Sequence, residues 1–250
     1  MLPIGDDNTY RLRTPLVTWL LIAANIAVFV FFQGFGTDER VVYSYSMVPQ
    51  EILSGRDITS ADYAVLDRST GERYMVPGLG VTPVPVYLTI LISMFMHGGL
   101  AHIGGNMLFL SIFGDNVEDR LGHFRFLLFY LIAGFLGAAA HIVVSVVMGD
   151  GLLTPTLGAS GAISGVMGAY LLLFPGNRVR VLLFNIIPTT VSAIVVIGLW
   201  FIFQLVNGLG YLGGTRGDGV AYAAHIGGFV YGFFGIRRWL PRKRRRVRYY

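Results

Sequence analysis

The chain has 250 residues, 54% of them hydrophobic and only 13% charged, with a mean hydropathy of +0.63. A soluble domain carries roughly a quarter charged residues; here the charge is missing in blocks, the pattern of a polytopic membrane protein. The absence of cysteine excludes disulfides, thiolate catalysis and cysteine metal sites, and the net charge of +5 gathers in an arginine-rich tail, Arg237 to Arg248, directly after an apolar segment. That placement reads as a cytoplasmic membrane anchor and disfavours a nucleic-acid surface.

A hydrocarbon core about 30 Å thick needs about 20 helical residues. Six segments meet or approach this: Pro15–Gln33, Val86–Phe113, Phe124–Met148, Gly158–Phe174, Ile186–Gly208 and Val220–Ile236. The expected fold class is therefore an all-α membrane protein with six transmembrane helices. Its parts are a short N-terminal segment (1–14), a membrane domain (15–238) and a basic tail (239–250). The first span follows Arg11 and Arg13 and precedes no small-residue cleavage site, so it reads as retained; Asp6 and Asp7 argue against a transit peptide.

Basic residues orient the spans. With both termini cytoplasmic, only Arg40, Arg56, Arg68, Arg73 and Arg216 fall outside, 5 of the 19 Lys and Arg. The outer loop, about residues 34–85, is long and polar. No internal repeat is visible, and a transporter of inverted halves normally shows one.

The fourth span is short. From Ser160 to Phe174 it reaches about 22 Å, and the stretch Gly149 to Thr156 before it is non-helical in character. Irregular backbone at membrane depth is tolerated where protein or water satisfies it. Ser160 is thus expected near a helix N-terminus, below the outer surface, beside a cavity that admits water.

Three clusters carry the possible chemistry. Gly158-Ala159-Ser160-Gly161 opens span four, and Gly161, Gly165 and Gly168 form a close-packing face. In span six, His225, Gly228, Gly232 and Gly235 share one face, so a meeting of the two glycine faces would bring the imidazole to the serine hydroxyl as its general base. In span two, His102 and Asn106 are i, i+4 neighbours able to donate hydrogen bonds to a developing oxyanion, and the Ser160 amide adds a third donor. No acid lies within the spans as drawn, leaving a Ser–His dyad without a third member.

His97-x4-His102-x3-Asn106, Gly158-x-Ser160-Gly161 and Ala224-His225-x2-Gly228-x3-Gly232 together resemble the rhomboid family of intramembrane serine proteases. Glu118-Asp119-Arg120-Leu121-Gly122 and Trp200-x3-Gln204-x3-Gly208 are similar to rhomboid segments as well. The resemblance implies that Ser160 is the nucleophile and His225 the base. It makes His102, Asn106 and the Ser160 amide an oxyanion hole, with His97, Gly158, Gly161, Gly228 and Gly232 supporting. It also implies single-pass transmembrane substrates entering near spans two and five, with Trp200 and Phe203 as a possible gate, no cofactor or metal, and a plasma-membrane or bacterial inner-membrane address. Two departures stand out: Ser164 replaces a tyrosine that packs on the histidine in some rhomboids, and the outer loop has no tryptophan.

Plainer readings stay open beside these. His141 reads as a hydrogen-bonded packing histidine and His123 as a solvated boundary residue; Trp200, Phe201 and Phe203 also fit lipid-facing positions. Protease, non-catalytic binder of membrane helices, and channel are the three functional classes considered. A channel is disfavoured by the lack of acids and repeats.

Overall fold

The computed structural model describes residues 1–66, 71–184, 186–212 and 220–241. Arg68, Arg216 and the tail beyond Pro241, on which the orientation partly rests, lie outside the described residues. The structure is predominantly helical, and the expected all-helical chain also carries two small sheets.

Near the N-terminus, β1 (Leu2–Asp6) lies before α1 (Leu16–Ala27), which continues as a π-helical turn over Val28–Phe32. The first-turn amides of a helix lack partners of their own. Here the buried carboxylate of Glu118 supplies them, accepting from Val17 N–H (2.9 Å), Thr18 N–H (2.7 Å) and Thr18 Oγ1–H (2.6 Å). A negative charge at that end of the helix also complements its dipole.

The segment between α1 and span two forms short elements where described. It holds α2 (Glu39–Tyr45), capped by the Asp38 side chain on Val41 N–H, and α3 (Pro49–Ser54), which stops at a left-handed Gly55. A hairpin of β2 (Tyr63–Leu66) and β3 (Arg73–Val76) follows.

Span two departs from a single helix. A 3-10 turn at Val86–Leu88 leads into α4 (Thr89–Ser93), then the chain breaks over residues 94–99 before α5 (Leu100–Leu121). Gln33 bridges the break, donating from Nε2 to the His97 carbonyl and accepting from the His97 N–H, each at 2.9 Å. Broken backbone inside an apolar bundle requires such partners. Helix α5 also runs past the expected end at Phe113, so Asp115, Glu118 and Asp119, which follow the span as drawn, are helical. They are tolerated because each is engaged. Asp115 pairs with Arg11, Glu118 caps α1 and accepts from His123 Nδ1 (2.6 Å), and Asp119 accepts from the Leu12 and Arg13 amides. His123, expected as solvated, is thus half-exposed and paired.

Gly122, with φ +80°, is the whole connection to α6 (His123–Met148). The stretch before Ser160 is non-helical as expected, with left-handed Gly149, Gly151 and Gly158. It is tied to the start of α3 by paired backbone bonds between Met47 and Thr156 and by Gln50 N–H to the Leu152 carbonyl. Thr156 Oγ1 also meets His141 Nε2 at 3.1 Å, so His141 is hydrogen-bonded as anticipated.

Helix α7 (Ser160–Leu173) starts at Ser160, and every residue from Gly161 to Tyr170 is buried. A helix apolar on all sides belongs at the centre of a bundle. After it come β4 (Arg178–Leu183) and β5 (Ile187–Ser192), antiparallel to each other, with β1 antiparallel on the other edge of β4. Span five therefore begins at Ala193 and not at Ile186, because the β-branched run through Thr189, Thr190 and Val191 pairs as a strand. Helix α8 (Ala193–Leu212) and α9 (Tyr222–Gly235) complete the described bundle. By length and composition α6 and residues 193–210 are each able to cross a membrane; residues 16–32 and α7 are apolar but shorter.

Candidate functional site

The two glycine faces meet. A Cβ built on Gly228 would stand 2.0 Å from the Gly161 carbonyl oxygen, and one on Gly232 only 1.8 Å from that of Gly165. Any side chain at either position would force α7 and α9 apart. Small residues permit such backbone approach where no hydrophobic effect drives helices together. The approach brings the first turn of α9 against the first turn of α7.

There the Ser160 Oγ lies 2.7 Å from His225 Nε2. The other ring nitrogen, Nδ1, lies 2.8 Å from Oε1 of Gln204 on α8. An amide oxygen only accepts, so Nδ1 carries the proton and Nε2 presents its lone pair to the serine hydroxyl. This is the tautomer a general base needs. In the sequence Gln204 stands out only as part of the motif Trp200-x3-Gln204-x3-Gly208. The signal that marks it is an amide side chain, one of two with Asn207, in a helix without a charged residue.

Position 164 does not support the imidazole: the Ser164 hydroxyl donates back to the Ser160 carbonyl at 2.6 Å. Aromatic neighbours come from elsewhere. Trp200 of α8 lies with its ring 6.1 Å from that of His225, tilted by 35°, and Tyr222 meets it edge-on at 6.4 Å. Trp200 thus turns inward, whereas Phe203 is exposed. Phe201 stacks on Phe229 at 4.1 Å and belongs to the helix packing.

The span-two residues line the other side. Gly98 N–H donates to His102 Nδ1 at 3.2 Å, which leaves the proton on Nε2. That Nε2 faces Gly158, where an added Cβ would stand 2.8 Å from it and 3.5 Å from Ser160 Oγ. Gly158 is therefore required both by its φ of +124° and by the imidazole beside it. One turn along α5, Asn106 is buried and its Nδ2 has no hydrogen-bond partner among the described residues. A buried unpaired donor costs about 1–3 kcal/mol, a cost consistent with a group held ready for an acceptor. His97 is fully buried; its ring packs edge-on against His102 at 5.1 Å, backed by the Gln33 clamp.

A cavity of about 40 Å³ opens beside Ser160, lined by residues that include Ser93, Met94, Gly134, Ala138, Leu157 and Gly158. A single water needs about 10–15 Å³ by this kind of measure, so the space takes water or one small side chain.

The Rhomboid protease GluP of Bacillus subtilis is 37% identical over 145 residues, covering 58% of this chain and 24% of that protein. Rhomboid protein 1, mitochondrial, of Saccharomyces cerevisiae is 31% identical over 146 residues, 58% of this chain and 40% of that one. The presenilin-associated rhomboid-like protein, mitochondrial, of Bos taurus is 31% identical over 147 residues, 59% and 37% respectively. The match thus spans about a quarter to two fifths of these relatives' lengths. Residues 85–239 match the family model described as Rhomboid domain, and that stretch holds every candidate residue above apart from Gln33. The chain is an integral membrane protein and belongs to the rhomboid family.

Proposed function

We propose that this protein is an intramembrane serine endopeptidase that cuts transmembrane segments of single-pass membrane proteins. The observation that carries the reading is the 2.7 Å contact between Ser160 Oγ and His225 Nε2. Ser160 Oγ attacks the scissile carbonyl while His225 Nε2 takes its proton. The new oxyanion is met by His102 Nε2–H, the Asn106 amide and the Ser160 N–H, donors preorganised where charge develops. His225 then gives its proton to the departing amine. Water, activated by the same imidazole, hydrolyses the acyl-enzyme and restores Ser160. The small cavity suits a small residue on the acyl side of the cut. The apolar outer face of α8, with Leu199, Ile202, Phe203 and Val206 exposed, is the surface past which a lipid-embedded substrate enters.

The proposal includes six spans with both termini cytoplasmic, parts at 1–14, 15–238 and 239–250, and a plasma-membrane or bacterial inner-membrane address. The mitochondrial names among the relatives make the address a matter for a localised fusion protein.

Purified protein incubated with a labelled single-pass substrate tests the reading. Wild type is expected to cleave, with Ser160→Ala and His225→Ala inactive. Substitution of the residue on the acyl side of the cut by phenylalanine should slow cleavage more than about tenfold. Cleavage that survives Ser160→Ala would remove the assignment. Retention of substrate without cleavage, unchanged by Ser160→Ala, would favour a non-catalytic helix binder.

A further inference from the structure

We infer that Gln204 is the positioning residue of the dyad, selecting from α8 the tautomer in which His225 acts as a base; this rests on the protease reading. Ser160 and His225 sit on α7 and α9, which the glycine seam locks together. That seam sets the distance between hydroxyl and imidazole but says nothing about where the imidazole proton resides.

A neutral imidazole carries one proton. On Nδ1 it leaves Nε2 free to accept from Ser160; on Nε2 it makes the ring a donor that cannot take the serine proton. A catalytic triad settles this choice with a carboxylate. Here the acids of α5 begin at Asp115, about 20 Å along the helix from His102, and a neutral amide occupies the orienting place. Gln204 is only 5% exposed, so water does not compete for the 2.8 Å contact with Nδ1. Its neighbours Phe203 and Val206 point outward, and a polar side chain buried in such a helix persists because it has a partner.

A neutral partner has a distinct consequence. It fixes orientation without adding negative charge to stabilise the imidazolium. Replacing it with a carboxylate keeps the tautomer and raises the proton affinity of His225, and since the base works only when neutral, the acid limb of the rate profile moves to higher pH.

The test combines a readout that needs no substrate with one that does. In protein labelled with ¹⁵N-histidine, NMR of the ring nitrogens should show the wild-type His225 protonated at Nδ1. Gln204→Leu should lose that preference and Gln204→Glu should keep it. In cleavage assays Gln204→Leu should lower kcat about 10- to 100-fold with KM within about twofold. Gln204→Glu should restore most of that loss, with the acid limb displaced upward by about one pH unit.

An unprotonated Nδ1 in wild type would overturn the inference. So would an unchanged tautomer and kcat in Gln204→Leu, or an unmoved acid limb in Gln204→Glu. If Gln204→Leu fails to fold, Gln204→Glu still decides. A wild type that cleaves no substrate, yet whose His225 tautomer follows residue 204, would sink the protease reading and leave the positioning role standing.

Discussion

The carbonyl oxygen of Gly165 occupies the place that a side chain on Gly232 would need, 1.8 Å from where its Cβ would lie. The oxygen belongs to helix backbone and a Cβ is fixed by the backbone that bears it, so neither can rotate away, and the seam must open instead. Gly232→Ala should cost about 3 kcal/mol, at the upper end of ordinary overpacking, and lower the thermal midpoint in detergent by several degrees. Gly104 supplies the contrast, since nothing lies within 4 Å of a Cβ there. Gly104→Ala should leave the midpoint unchanged or slightly raised; equal losses in both variants would refute the seam as the cause.

Asn106 is buried with no partner for its Nδ2 among the described residues. If that donor serves the oxyanion, Asn106→Ala should lower kcat about 10²-fold, the loss typical of one such donor, with KM little altered. A rise in KM at constant kcat would instead place Asn106 in ground-state binding.

Glu118 joins α1 to α5 through three accepted hydrogen bonds on Val17 and Thr18. Glu118→Gln keeps the shape but places an NH₂ group where an acceptor is needed. A destabilisation of about 2–4 kcal/mol is expected, since hydrogen bonds to a charged group are among the stronger ones. Denaturation of the purified protein checks this. The Ser160–His225 contact lies at the other end of the bundle, so the fraction that remains folded should retain full activity per molecule.

Asp6, in the N-terminal strand, has its carboxyl pushed above the ordinary range by burial, although hydrogen bonds from Tyr170 and Asn116 oppose the shift. A carboxyl that ionises less readily in the folded than in the unfolded chain contributes stability while it is protonated. That contribution is lost as pH rises from about 4 through the raised folded value. Asp6→Asn removes the titration, so its thermal midpoint should change less than that of wild type as pH rises from about 4. Parallel profiles for the two proteins would rule out this role.

Much of the site was legible without coordinates because two periodicities expose it. Glycines recurring at helical spacing in two spans mark the faces that must meet, and a histidine or serine on such a face can only point into the seam. Composition and long apolar runs likewise made the membrane setting unavoidable. Ser160 at a helix start and the irregular stretch before it also followed from chain order, since a span too short for the bilayer must be completed by something other than helix.

Tertiary structure decided what depends on partners distant in sequence. Ile187–Ser192 is apolar enough to pass for membrane helix, and only pairing with Arg178–Leu183 makes it a strand. The break in span two is stable only because Gln33, 64 residues away, satisfies the His97 backbone. Glu118 is hidden in a helix because α1 brings its unpaired amides there. Above all, the proton position on His225 depends on which atom of Gln204 reaches Nδ1. Hydrophobic pattern is a property of one segment and is written along it, whereas the satisfaction of buried polar groups is a property of pairs and exists only once the helices are packed.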